Sequence, residues 1–432
     1  MQNLILGTIL TPLSSARADA ETPSFYHESD GAILVASGKI KDLGPADVLR
    51  KKYPQAKRHE HKEALILPGF IDAHVHYPQT AIIASWGKRL IDWLNAYTFP
   101  EEAKFHDPDY AKEIAQRYVD LAIAHGTTGF ATFSTIHPTS VDAIFEEGSK
   151  RDMMSIAGKT CMDRHAPENL MDTPEIAYDE SKSLIEKWHE KGRNIYAITP
   201  RFAPTSSPEQ LEALGQLWAE HPSCLMQTHL SEQKEEIDWV ASLFPQAKGY
   251  LDVYESFGLL GKRGLYGHAI HLSDHEIDRI TEIDAGLVHC PTSNSFIGSG
   301  LFDMRGLKRR GIRIGLATDT GGGSSFSMLR TMASAYEIAQ LRGEALHPSE
   351  LLYLATLGSA EALHQSASVG SLEIGKYADF VIMDLHSTPA ISQRSTQADD
   401  IWEALFATIM MGDDRAIKDV WIAGRSQKAE KA

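Results

Sequence analysis

The chain has 432 residues, 43% hydrophobic and 23% charged, a globular mix long enough for two domains or one large barrel with additions. Its 58 acidic and 42 basic side chains leave a formal charge of -16, which excludes nucleic acid as the main partner, because phosphate recognition needs a basic face. No apolar run approaches the roughly 20 residues that span a bilayer, and three scattered cysteines, Cys161, Cys224 and Cys290, argue for a reducing, cytoplasmic setting rather than a disulfide framework.

Residues 1–66 alternate short apolar runs with turns: "NLILGTIL", "GAILVASGKI" and "ALIL", with Gly38 in a hairpin turn and one helical stretch, "PADVLRKKY". The opening "LILGTILTPL" followed by "SSARADAE" has the outline of a signal peptide with a small-residue cleavage site. No Lys or Arg precedes the apolar part and Pro12 interrupts it, so it reads as a first β-strand. The last part of the chain, from "GSLEIGKYADFVIMDL" to "AIKDVWIAGR", shares the strand-and-turn character. Both termini are therefore expected to build one small β-sandwich domain, with residues 373–432 as its C-terminal share.

Residues 67–372 read differently. Runs such as "LILPGFIDAH", "GTTGFATFST", "MSIAGKTCMD", "NIYAITPRF", "CLMQTHLSE", "GLYGHAI", "AGLVHC" and "RIGLATDT" recur, with helical patterns between most of them. "DYAKEIAQRYVDLAIAHG" has a 3.6-residue period ending at Gly126, a natural glycine stop. Ser207 before Pro208 is an N-cap signal, and Ser273 with Glu276 has capping-box spacing. Eight strand-like runs separated by helices predict an α/β fold of the (β/α)8 TIM-barrel type. A doubly wound open sheet is the alternative.

Barrel chemistry sits at the C-terminal ends of the strands, and that rule sorts the histidines. His74 and His76 end the first run, and period-2 alternation points both to one side. His229, His268 and Asp319 end later runs. Together they form an N/O donor set suited to Zn2+ or Fe2+. Each taken singly could be a satisfied core residue. His59 and His61 have the same spacing but lie in the charged stretch "AKRHEHKEA", which reads as a solvated strand or turn. His289 is either packed or in support of the site, and His271 already lies in the loop beyond His268.

Glu232, three residues after His229, can shuttle protons beside a metal; alternatively it serves only a helix N-terminus. The fourth run, "NIYAITPRFAP", has no lysine at its end, so one metal is expected rather than a lysine-bridged pair. Arg201 offers a planar donor fork and Phe202 a flat stacking face; the competing reading pairs Arg201 with a nearby carboxylate.

These residues resemble the amidohydrolase superfamily and, within it, the zinc guanine deaminases. The pieces that carry the resemblance are "PGFIDAHVHYPQ", "WLNAYTFPEE", "PRFAPTSSPEQ", "THLSE", "HAIHLSD", "HCPTSNSFIGSG" and "ATDTGGGSSFSML". They run through nearly the whole barrel. The resemblance implies one zinc held by His74, His76, His229 and Asp319, with Fe2+ as the other candidate. It implies base contacts from Gln79, Arg201, Phe202, Glu232, His229 and Asp319, and catalytic roles for Glu232, His268 and Asp319. Trp93 belongs to the pocket wall or, alternatively, packs in the core. The implied reaction is hydrolysis of guanine at C2 to xanthine and ammonia by a zinc-activated water, in a homodimer. A related hydrolase of another purine, pyrimidine or triazine ring is the alternative. The unrelated deaminase zinc site built on P-C-x-x-C is excluded, because no Cys-x-x-Cys occurs in the chain. A non-catalytic scaffold protein is disfavoured by the complete donor set.

Overall fold

The computed structural model of the protein describes residues 2–13, 23–86 and 90–427. The cleavage-site-like stretch around residues 14–22 lies outside the described residues. The opening run is a strand, Gln2–Pro12.

Among the described residues, seven strands from the two terminal parts form one hydrogen-bonded sheet. In spatial order they are Arg425–Ser426, Ile417–Ile422, Phe380–Asp384, Lys57–Pro68, Gln2–Pro12, Phe25–Ala36 and Lys39–Pro45. Ser37 and Gly38, both at positive φ, make the tight turn of the predicted hairpin. Register slips beside Gly7 on both flanks of Gln2–Pro12 bend the sheet. Its two ends meet: a Cβ at Gly38 would sit 3.2 Å from the carbonyl oxygen of Ala423. The enclosed face buries Ile5, Ile33, Ile66, Phe380 and Trp421, so the sandwich is a single sheet wrapped on itself. The C-terminal part is not all strand and turn. Helices Pro389–Ser395 and Ile401–Met411 intervene, capped by Thr388 and Asp400, and the second packs on helix Met328–Leu341.

The run "LILPGFIDAH" divides at Pro68–Gly69 instead of forming one strand. Leu65–Leu67 pair with Met383–Val381 in the terminal sheet, and the first barrel strand is Phe70–His76. Gly69 is the crossing point, because a Cβ there would lie 2.1 Å from Thr128 Oγ1. The barrel continues through Thr127–Phe133, Met154–Gly158, Asn194–Pro200, Leu225–Leu230, Gly264–His268, Gly286–His289 and Arg313–Leu316, each parallel to its neighbour. The first two strands are buried at every residue, as expected where helices cover the outer face and side chains fill the inside. The seam between the eighth and first strands closes just above the strands. There Asp319 N–H donates to His74 O at 3.0 Å and Thr318 N–H to Asp72 Oδ1 at 3.0 Å.

The helix signals hold. Ser207 caps Pro208–Glu220, Ser273 and Glu276 form the capping box of Asp274–Ile283, and Gly126 follows helix Pro108–Ala124 at φ +88°. Among the described residues no helix is long and apolar enough to cross a membrane.

Candidate active site

Alternation on Phe70–His76 aims His74 and His76 inward at the top of the barrel, where His229 on the fifth strand meets them. His76 Nε2 lies 3.1 Å from His229 Nε2. Two atoms that each bind one ion at about 2.0–2.1 Å stand roughly this far apart. His229 Nδ1–H donates to Arg201 O at 2.6 Å, which leaves Nε2 with its lone pair free. His74 Nε2 is buried without a hydrogen-bond partner. Asp319 Oδ1 stands 3.5 Å from His74 Nε2 and 3.6 Å from His76 Nε2. An orphaned buried nitrogen and three converging acceptors are what a cation would satisfy.

Electrostatics agree with this donor set. Burial, reinforced by neighbouring histidines, holds His76 and His229 well below the usual imidazole range, so they are neutral with free lone pairs. Burial alone would raise the Asp319 carboxyl, but the imidazoles of His74, His268 and His76 around it keep it well below its ordinary value. Asp319 lies three residues past the eighth strand, at φ +49°. His268 ends the sixth strand at φ +65°. Left-handed backbone at two non-glycine site residues is local strain held by the surrounding fold.

His268 lies between two carboxylates, with Nε2 3.7 Å from Glu232 Oε2 and 3.6 Å from Asp319 Oδ2. Burial lowers its basicity, yet the charges of Glu232 and Asp319 and a bond to Asn294 outweigh that and raise it. Its Nδ1 donates to Asn294 Oδ1 at 2.9 Å, so Nε2 is the nitrogen left for proton exchange. Glu232 is not the helix cap. That task falls to Gln233 and Glu236, which form the capping box of Lys234–Leu243. Glu232 instead turns inward, where Ser299 Oγ donates to its Oε1 at 2.8 Å.

Beside these groups lies a cavity lined by Gln79, Trp93, Leu94, Arg201, Phe202, Ile297 and Gly322 together with His76, His229, Glu232, His268 and Asp319. The site residues expected from sequence therefore converge here, with His74 grouped with His76 and His229 but not itself lining the cavity. The competing reading of Arg201 also applies, since Glu102 holds it through two hydrogen bonds of 2.7 and 3.2 Å while it still lines the cavity. Sequence reasoning missed Glu102, Asn294 and Ser299, although they lie in the quoted stretches "WLNAYTFPEE" and "HCPTSNSFIGSG". It also missed Cys290, whose thiol belongs to a group with His74, His268 and Asp319 close enough to share one ion. Burial raises that thiol well above its ordinary value and it sits in the apolar barrel interior, so packing accounts for it.

Residues 65–426 match the amidohydrolase family. The chain belongs to the amidohydrolase family. This amidohydrolase is 43% identical to the guanine deaminase of Escherichia coli (strain K12) over 397 residues, covering 92% of this chain and 90% of the relative. The solved E. coli guanine deaminase superposes with a TM-score of 0.96 at 40% identity, covering both chains fully. The guanine deaminase of C. acetobutylicum, solved with guanine bound in its active site, superposes with a TM-score of 0.88 at 31% identity over 99% of this chain and 100% of that one.

The remaining histidines of the amidohydrolase fall outside the centre. His289 is buried and stacked on Phe302 at 4.4 Å, and burial brings it down to about 3, so it is a packed neutral residue. His271 contacts the Ser299 carbonyl from the loop. His59 and His61 are on the terminal sheet, partly buried rather than fully solvated, and His59 packs edge-on against Trp421.

Proposed function

We propose that this chain is a guanine deaminase, replacing the 2-amino group of guanine by oxygen to give xanthine and ammonia. The observation that carries this reading is one cavity lined both by a His/Asp metal-type cluster and by the N–H donors of Gln79 and Arg201, in a chain whose relatives are guanine deaminases. His74, His76, His229 and Asp319 would hold a single ion, read as zinc, with Fe2+ accepting the same donors. When bound, such an ion supplies Lewis acidity that brings water ionisation toward about pH 7. Lys159, at the end of the third strand, does not extend this set, because it pairs with Asp172 and Glu180.

The chain's own groups do the rest. Phe202 offers a face to the purine ring, and Trp93 forms part of the cavity wall. Arg201 and Gln79 present donors to the O6 side, where guanine carries acceptors. Asp319 and His268 hold the attacking water and take its proton. Glu232 delivers a proton to the ring nitrogen beside C2 and then to the departing amine, which leaves as ammonia. His268, within 4 Å of both carboxylates, lets the proton taken from water reach Glu232. We further read residues 67–372 as the catalytic barrel of a cytoplasmic homodimer that handles a free base in purine breakdown. Three buried free cysteines support a reducing compartment.

The test is ammonia release from guanine, adenine, cytosine and 8-oxoguanine, with metal content measured on the same sample. Guanine should lead the panel, with about one ion per chain. Chelation should abolish turnover, and added Zn2+ should restore it. A metal-loaded preparation that releases no ammonia from guanine would sink the proposal.

A further inference from the structure

We propose that Glu102 is a positioning residue that dictates which polar groups the purine-reading wall presents, so that the pocket selects an acceptor at position 6 of the ring. This rests on the guanine reading above and adds what rejects the 6-amino purines.

Glu102 has no exposed surface and does not line the cavity; Gln79 and Arg201 stand in front of it. Both its oxygens are engaged. Oε1 accepts from Gln79 Nε2 at 2.9 Å and Arg201 Nη2 at 3.2 Å, and Oε2 accepts from Arg201 Nη1 at 2.7 Å. At the other end of the same amide, Gln79 Oε1 accepts the Gly321 N–H at 3.3 Å. A carboxylate accepts from these donors and a backbone N–H only donates, so the two contacts demand the same amide orientation. The flipped amide would set a carbonyl against the carboxylate and an amino group against the Gly321 N–H. In a site this buried, that leaves polar atoms unsatisfied at both ends.

The consequence for the cavity follows from counting hydrogens. Gln79 Nε2 carries two and spends one on Glu102; Arg201 carries five N–H groups and spends two. What the Gln79 amino group and the Arg201 guanidinium keep for a ligand is donors alone, while the Gln79 carbonyl is turned to the Gly321 N–H. An oxygen at position 6 accepts them, whereas an exocyclic amine there meets donor with donor. Glu102 also neutralises the buried guanidinium, so a neutral base need not compensate a lone cation. The local chain holds the carboxylate in place. Glu102 ends the short helix Phe99–Glu102, and the Phe99 ring packs 5.6 Å from the Arg201 guanidinium. The stretch "WLNAYTFPEE" thereby acquires a role beyond its tryptophan. If the Glu102–Arg201 pair were only a structural brace, its removal would weaken all substrates alike.

The experiment measures kcat and KM for guanine and 2,6-diaminopurine with the metal-loaded parent, E102Q and E102D, and the metal content of each. In E102Q the guanine KM should rise about tenfold with a smaller change in kcat, and the preference for guanine over 2,6-diaminopurine should fall about tenfold. Metal content should stay at the parent level. E102D keeps a group that only accepts, so it should retain most of the preference while binding both purines less tightly. An unchanged preference in E102Q, or an equal loss of kcat/KM on both purines, overturns the inference. Should E102Q not fold, E102D decides: a preference lost at normal metal content overturns it, and a preference kept within about threefold supports it. A parent that releases ammonia from neither purine would instead fail the functional reading itself.

Discussion

At the residue scale, the site depends on groups that aim other groups. Ser299 Oγ donates to Glu232 Oε1, which leaves Oε2 as the oxygen facing His268. Ser299→Ala should therefore lower kcat by about tenfold to a hundredfold, within the usual worth of positioned acid–base catalysis, while the guanine KM moves little. Steady-state kinetics at saturating guanine checks this, and a KM-only effect would contradict it. A second prediction concerns acid stability. His289 is buried neutral at about 3, below its unfolded value of about 6.5. The unfolded chain then binds the extra proton between those values, so stability falls as pH drops from 6.5 toward 3. His289→Phe keeps the stack on Phe302 and removes that proton. It should recover about 2 kcal/mol of the stability lost between pH 7.5 and pH 5, as read from urea midpoints of both proteins at each pH. Equal losses in the two proteins would refute the assignment.

At the element scale, the loop after the third barrel strand is tied down by Lys159. Its side chain is fully buried and pairs with Asp172 and Glu180, and Gln210 donates to the other Asp172 oxygen at 2.6 Å. That loop carries Met162 and Leu170, which pack with Trp93, Leu94 and Phe99 behind the purine wall. Lys159→Met would leave Asp172 buried without its cation, costing about 3–5 kcal/mol, and should raise the guanine KM by loosening Trp93. Denaturant unfolding and KM measured together test the link; a destabilised protein with an unchanged KM would break it. This element also marks a limit of legibility. Caps, glycine stops and strand order could be read in the chain because they depend on neighbours in sequence. The partition of "LILPGFIDAH" between two sheets could not, since it turns on Gly69 passing Thr128, 59 positions away by residue number.

At the scale of the whole molecule, the barrel and the terminal sheet share a buried joint. Arg193, just before the fourth barrel strand, forms a two-pronged pair with Asp379 and stacks 4.0 Å from the Tyr377 ring. Asp379 also receives Ala423 N–H at 2.8 Å, and its carbonyl receives Gly69 N–H at 3.0 Å. Arg193→Ala strands a buried carboxylate at that joint. It should cost about 3–5 kcal/mol and turn one cooperative unfolding transition into two, separated in differential scanning calorimetry. A single transition at the parent temperature would show that the joint carries no coupling.

The sequence by itself determined the class of fold and the chemistry of the ligands. Periodicity, caps and the position of polar residues at strand ends are local properties, and barrel geometry sends strand ends to one face. It therefore placed His74, His76, His229, His268, Glu232 and Asp319 near one another, and set His59 and His61 apart. Tertiary structure alone decided what stands behind them. Glu102 reaches Arg201 across 99 positions, Ser299 reaches Glu232 across 67, and Asn294 reaches His268 across 26. None of these pairs leaves a spacing signal, because a hydrogen bond needs only proximity in space, and the barrel creates that proximity by bringing the ends of separate strands to one mouth.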